Sequence, residues 1–181
     1  GDQLKLIASF GTGVDHIDLA AARARGITVT NTPGVLTEDT ADVALALLLA
    51  VPRRIAEGDK RARSGAWTGW SPTGMLGHRI NGKRLGIIGM GRIGRAVAHR
   101  AHFGFGMEVG FYNRSPVDDA GGVNGTQYAS VAALCGASDF VSLHCAATPD
   151  TFHILDKTAL GAMSPDTYVI NTARGDVVDE A

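Results

Sequence analysis

The hexapeptide Gly89-Met90-Gly91-Arg92-Ile93-Gly94 constrains this chain more than any other stretch. It follows Leu85-Gly86-Ile87-Ile88, which reads as a short buried strand, and it opens residues 93–103, which have helical periodicity. Three glycines at that spacing solve three steric problems of a strand-to-helix turn. Gly89 permits the tight turn, Gly91 lets the backbone approach a pyrophosphate, and Gly94 lets the helix lie close to the sheet. The free N–H groups at such a helix start attract phosphate oxygens. The expectation is an α/β domain that binds a dinucleotide.

The rhythm around the hexapeptide supports this. After it, strands are expected at 108–112, 140–143 and 167–171, and helices at 130–135 and 157–163. Strictly alternating strands and helices indicate a doubly wound parallel sheet with right-handed crossovers. Before it, residues 4–9 and 27–30 read as strands. A turn at Gly11-Thr12-Gly13 and a short helix at 17–25, stopped by Gly26, lie between them. Residues 38–56 form an Ala- and Leu-rich helix with Thr37 as its N-cap. It is expected to be buried on most of its circumference, and Pro52 to kink or divide it. Residues 64–82, with both tryptophans and several Gly and Pro, read as a loop.

Composition excludes several classes. The 181 residues carry 17 Lys plus Arg against 18 Asp plus Glu, a net charge of −1, which provides no footprint for nucleic acid or an anionic membrane. The longest apolar run, from Val43 to Pro52, is about half of a bilayer span. Cys135 and Cys145 are too few for a disulfide scaffold and suit a reducing, cytoplasmic compartment. No metal-binding constellation is expected. The first residue is Gly1 and the last strand is followed by only ten residues, so the expectation is a chain truncated at both ends.

The cofactor type is decided at the end of the strand after the fingerprint, where an NAD site places an acidic residue on the ribose 2′-hydroxyl. Here the sequence reads Tyr112-Asn113-Arg114-Ser115. Arg114 can bind a 2′-phosphate through a charge-assisted fork, and Asn113 and Ser115 can donate hydrogen bonds. NADP is therefore favoured, with NAD possible. A second basic residue, Arg174 in Asn171-Thr172-Ala173-Arg174-Gly175-Asp176, follows a strand at the sheet edge where ligands sit. Its planar fork matches the carboxylate of a 2-keto acid and can polarise the adjacent carbonyl. A salt-bridged structural arginine fits the spacing equally well.

Several separated motifs together resemble the D-isomer-specific 2-hydroxyacid dehydrogenases, and most of all their glyoxylate/hydroxypyruvate reductase branch. They are Gly11-Thr12-Gly13-Val14-Asp15-His16-Ile17-Asp18, Asn31-Thr32-Pro33-Gly34, residues 37–42, the glycine hexapeptide and residues 171–180. The resemblance implies a Rossmann-type dinucleotide domain with part of a flavodoxin-like substrate domain. Residues 1–35 would belong to the substrate domain; residues 36–181 would be the connector helix and most of the dinucleotide domain. By the same resemblance, Thr12 and Gly13 bind the substrate carboxylate through backbone N–H groups and Arg174 is the catalytic arginine. Thr40 lies near the nicotinamide, and Cys145, Thr172, Ala173 and Arg174 line its side. Gly89, Gly91, Arg92, Ile93 and Gly94 hold the pyrophosphate.

Ala146 departs from the family, which has proline there, and makes that turn less rigid. The family's proton-donating His and its partner Glu fall beyond Ala181, so none of the six histidines takes that role. His144 is read as structural, Cys145 as a contact residue, and Trp67 and Trp70 as packing or interface residues. The resulting expectation is an NADP-linked reductase of a small 2-keto acid, such as glyoxylate or hydroxypyruvate, acting as a homodimer. A dinucleotide-sensing corepressor on the same scaffold is the alternative. Phosphoglycerate, formate or phosphite dehydrogenases fit Asn113-Arg114-Ser115 less well.

Overall fold

The computed structural model describes residues 3–181; Gly1 and Asp2, at the start of the expected 1–35 segment, lie outside the described residues. Among the described residues, seven parallel strands fall into two separate sheets. Strands β1 (Leu6–Ala8) and β2 (Thr28–Thr30) pair in parallel as a two-stranded sheet. Between them runs α1 (Leu19–Ala24), whose first turn is capped by the Asp18 carboxylate accepting from the Ala21 N–H at 2.8 Å. The chain then forms α2 (Thr37–Ala50) and α3 (Ile55–Arg63) before entering the larger sheet.

That sheet comprises β3 (Arg84–Ile88), β4 (Glu108–Tyr112), β5 (Thr126–Gln127), β6 (Phe140–Leu143) and β7 (Tyr168–Asn171), in the spatial order β5-β4-β3-β6-β7. Every pairing is parallel, so all five carboxyl ends emerge on one edge. The chain starts in the centre with β3, winds out through β4 to β5, then returns to β6 on the other side. The switch point lies between β3 and β6, where α/β folds leave a crevice. Leu85, Ile87, Ile88 and all four residues of β6 are buried, because helices cover both faces of a parallel sheet.

Helices α4 (Arg92–Phe105) and α2 cover one face, with Val97, Ala98 and Ala101 packed beside Ala44, Leu48 and Ile87. Helices α5 (Val131–Gly136) and α6 (Lys157–Gly161) cover the other, around Leu134, Val141, Leu143 and Leu155. Arg100 ties α2 to α4 by donating to Glu38 at 2.6 Å and to Asp42 at 2.9 Å.

The expectation that α2 is buried nearly all round is corrected by the structure. Ala41, Ala44, Leu45 and Leu48, at helical spacing, face the core, whereas Val43, Leu47 and Val51 are 53%, 39% and 50% exposed. One small sheet can cover only one stripe of a helix. The helix also opens at Thr37 itself, with Leu36 as the cap residue and no side-chain capping bond. Pro52 does divide the helical run. Past a turn at Arg54, whose φ is +55°, the chain restarts as α3. Sequence patterning misses most of α3 because it buries no residue. Its side chains instead form exposed ion pairs, Arg54–Glu57 and Arg63–Asp59. The two-residue β5 is missed as well, being too short for periodicity.

Candidate functional site

The crevice over the switch point is built from the fingerprint turn and the ends of β4 and β6. Gly89 has φ of +97°, and a Cβ there would sit 2.7 Å from the Cys145 nitrogen and 2.9 Å from its Cα. Only glycine lets the backbones of the β3 and β6 ends approach this closely. Hydrogen bonds clamp the arrangement on both sides. The Gly89 N–H donates to the Tyr112 carbonyl at 2.9 Å, and the His144 N–H to the Ile88 carbonyl at 2.8 Å. Gly94 packs on the Gly89 carbonyl one turn into α4, so its role here is close packing.

Gly91 is the N-cap of α4, with no side chain bonding the first-turn N–H groups and no acidic residue among them. A Cβ on Gly91 would meet nothing within 4 Å, so the space before these donors is open. Donors without side-chain partners, a positive helix end and room for a ligand fit a pyrophosphate. Asn113 links this turn to β4 by accepting from the Met90 N–H at 3.2 Å, while its amide donates to the Ser115 carbonyl at 2.9 Å. Arg114 lies across the mouth of the crevice and pairs with Asp150 at 3.2 Å, both side chains largely exposed.

The resulting cleft has a volume of about 460 Å³. Of the expected cofactor residues, Gly89, Gly91, Asn113, Arg114, Ser115 and Cys145 line it. Arg92 and Ile93 lie in the first turn of α4 beside it, and Thr172 and Ala173 follow β7 at the same sheet edge. Thr40 lies in the first turn of α2 and is not among the lining residues. Sequence reasoning missed Thr148, Asp150 and Thr151 on the far wall. The Thr151 hydroxyl donates to the Ala146 carbonyl at 2.6 Å and accepts from the Thr148 N–H at 2.8 Å, bracing the turn that begins at Ala146. The Thr-Pro-Asp-Thr run, a capping pattern, was the available signal.

His144 joins β6 to β7. Its Nε2 lies 2.8 Å from Ser142 Oγ and its Nδ1 3.4 Å from Thr172 Oγ1, so hydroxyls engage both ring nitrogens. Burial pushes its pKa down to about 4, and the ring is neutral at pH 7. Burial likewise raises the Cys145 thiol, which leaves it protonated and a poor nucleophile.

A second group of residues gathers around Arg174. The Asn171 side chain folds the loop after β7 by donating to the Arg174 carbonyl at 2.7 Å and accepting from the Ala173 N–H at 2.9 Å. The guanidinium then reaches 159 residues back along the chain. Its Nε donates to Asp15 Oδ2 at 3.2 Å and its Nη2 to Asp15 Oδ1 at 3.0 Å. Nη2 also lies 2.6 Å from where a Cβ on Gly13 would be. The turn carrying Thr12 and Gly13 is itself held by the second quoted motif. Asn31 donates to the Thr12 carbonyl at 2.7 Å, and Thr32 to the Phe10 carbonyl at 2.8 Å. Thr12, Gly13 and Arg174 are thus brought together, with Asp15 as a partner that sequence reasoning did not assign.

The family model described as "D-isomer specific 2-hydroxyacid dehydrogenase, NAD binding domain" matches residues 45–181. The chain belongs to this family. A glyoxylate reductase of Thermococcus litoralis is 49% identical over 98% of this chain and 54% of its own length. A crystal structure of a protein from Thermus thermophilus has a TM-score of 0.89 and 50% identity, covering 97% of this chain and 55% of that one. An acyclic imino acid reductase in complex with NADPH and D-Arg has a TM-score of 0.88 and 35% identity, covering 98% of this chain and 56% of that one. The chain thus spans about half the length of the relatives it matches. In this family the larger sheet is a Rossmann-type domain for a nicotinamide dinucleotide. Among the described residues, no helix is long and apolar enough to cross a membrane.

His144 makes a pH-dependent contribution that can be measured. Its folded pKa of about 4 lies below the 6.5 of an unperturbed imidazole, so between these values the unfolded chain binds the extra proton. Its stabilisation is therefore full above pH 6.5 and is lost on acidification by about 1.4 kcal/mol per unit, levelling off near pH 4. Urea unfolding at pH 7 and pH 5 should show this loss in wild type and a smaller one in His144→Gln. Equal losses would show that the ring is not held neutral.

Proposed function

We propose that the protein containing this chain is an NADPH-preferring reductase of small 2-keto acids, of the glyoxylate or hydroxypyruvate type. The contact of Arg174 with the Gly13 and Asp15 turn carries this reading. It sets a guanidinium beside backbone N–H donors, at the carboxyl edge of a dinucleotide-binding sheet. A carboxylate next to a carbonyl is the substrate chemistry that such a pair recognises.

The fingerprint turn and the first turn of α4 would hold the pyrophosphate, and Cys145, Thr172 and Ala173 would flank the nicotinamide, which supplies hydride when bound. Arg174 orients the keto acid and stabilises negative charge developing on its carbonyl oxygen. The Thr12 and Gly13 N–H groups hold the substrate carboxylate. His144, with both nitrogens engaged and its ring neutral, serves packing rather than proton transfer.

Preference for NADPH rests on Arg114 and on the absence of an acidic side chain at 112–115. The exposed Arg114–Asp150 pair is weak, so a 2′-phosphate can recruit Arg114 with little loss. The segment up to residue 35 is assigned to the substrate domain, and residues 36–181 to the connector and dinucleotide domain. In support, β1 and β2 form their own sheet, and Leu4, Leu6 and Phe10 are exposed, as expected of strands that belong in a larger sheet. The stripe Val43, Leu47 and Val51, with Trp67 and Trp70 exposed, supports a homodimer through this half. Two free thiols suit a cytoplasmic location.

Three measurements on the full-length protein test these readings. NADPH should bind roughly ten- to a hundredfold more tightly than NADH, and Arg114→Ala should abolish the difference. Equal affinities in wild type would leave the cofactor choice without support. Arg174→Ala should lower kcat for glyoxylate or hydroxypyruvate reduction on the order of a hundred- to a thousandfold while dinucleotide affinity holds. A wild type that turns over no small 2-keto acid would favour the sensor reading instead. Light scattering should show a dimer at micromolar concentration that Leu47→Lys weakens; a monomeric wild type refutes the homodimer.

A further inference from the structure

The side-on edge of the Arg174 guanidinium, its Nε and Nη2, is fully engaged by the two oxygens of Asp15. Nη1 bonds the Ala173 carbonyl at 2.8 Å, which fixes the roll of the guanidinium plane about its long axis. Of the five guanidinium N–H groups, one on Nη1 and one on Nη2 have no bond to Asp15 or Ala173 and remain for a ligand. Both partners stay ionised, since each hydrogen-bonds the other's charged form: Asp15 is held below the usual carboxylate range, and Arg174 is raised.

We infer that Asp15 is a positioning residue for the reaction, holding the Arg174 guanidinium in one orientation over the Gly13 turn. The inference rests on the reductase reading above and names how that site is kept in register. Asp15 stands two residues after Gly13, so the turn that holds the substrate carboxylate also holds the arginine that must meet the adjacent carbonyl. The side chain of an arginine has four rotatable bonds, and 47% of this one is exposed. Without a partner at that edge its fork would sample many orientations, and a misplacement of about 1 Å at a reacting group costs on the order of a hundredfold. Gly13 completes the device. A Cβ there would press on both the guanidinium and the Asp15 carboxylate, at 2.6 Å and 2.7 Å, so both side-chain ends would have to shift from this arrangement. The geometry also distinguishes positioning from blockade, because Asp15 takes only the Nε and Nη2 side of the guanidinium and one N–H on each of Nη1 and Nη2 is left for substrate.

The test is a double-mutant cycle on the full-length protein, with Asp15→Asn, Arg174→Ala and the double variant, and Asp15→Glu as the conservative control. An asparagine offers one acceptor and one donor in place of two acceptors, so one arm of the fork meets an N–H. Asp15→Asn should lower kcat by roughly ten- to a hundredfold, raise KM for the keto acid less, and leave NADPH affinity and Tm close to wild type. Asp15→Glu, which keeps both oxygens and the charge, should recover part of the loss. In the Arg174→Ala background Asp15→Asn should have no further effect, because its action passes through the arginine. If Asp15→Asn unfolds the protein, the same readouts on Asp15→Glu decide, with a kcat loss smaller than that of Arg174→Ala expected. An active wild type whose Asp15 variants keep near-normal kcat overturns this inference alone. So does a rise in kcat/KM, which would mark Asp15 as a restraint, or losses that multiply across the cycle. A wild type that reduces no small 2-keto acid overturns the functional reading and this inference with it.

Discussion

The near-contact of Gly89 with the backbone of Cys145 is the constraint on which the candidate site depends. Parallel strands must be joined by long crossovers, so their carboxyl ends share one edge and their loops open on the same side. At the switch point two neighbouring loops diverge, and a crevice forms only if the strand ends beneath it run tightly side by side. A left-handed glycine at 89 allows that approach and turns the chain so that α4 begins beneath the crevice. Its first-turn N–H groups then face the opening. Any side chain at 89 would either push β6 away or strain the turn that aims those donors.

Around that point the molecule divides its labour between covalently distant pieces. Hydrogen bonds, both short- and long-range along the chain, hold the cleft walls in place. Asn113 binds the fingerprint turn, Thr151 braces the wall after Cys145, and His144 spans β6 and β7 through two hydroxyls. These are polar groups at a sheet edge, where water would otherwise compete and local geometry would drift. Satisfying them internally gives the cleft a defined shape before any ligand arrives, which lowers the ordering cost of binding. The same logic extends to Arg174, a long flexible side chain made directional by Asn171 at its backbone and Asp15 at its tip.

The two faces of α2 meet different surroundings. One stripe of the helix packs on the sheet and α4, and the Arg100 pairs with Glu38 and Asp42 fix its position there. The opposite stripe of Val43, Leu47 and Val51 is apolar and exposed in a single chain. An apolar residue on a helix pattern signals burial, yet the pattern does not say whether the cover is the same chain or another. A helix apolar all round therefore reads as buried all round, and the fold of one chain leaves half of it uncovered.

Whatever depends on near neighbours along the chain is legible from the residues alone. The glycine spacing at 89–94 and the apolar runs at 85–88 and 140–143 are local rules. From them follow the doubly wound sheet, most element positions and the fingerprint turn. Helix α3 escapes because it buries no residue and so leaves no apolar period, and β5 because two residues carry no period. The residues lining the cleft from 148 to 151 and the pairing of Arg114 with Asp150 emerge only once the chain is folded. So does the meeting of Arg174 with Asp15 and Gly13. A guanidinium after a strand satisfies a salt bridge or a ligand equally well, and no local rule chooses between them. The pairing with Asp15 forms where the fold brings the chain back over 159 residues, because charge pairing acts through space and is blind to separation along the sequence.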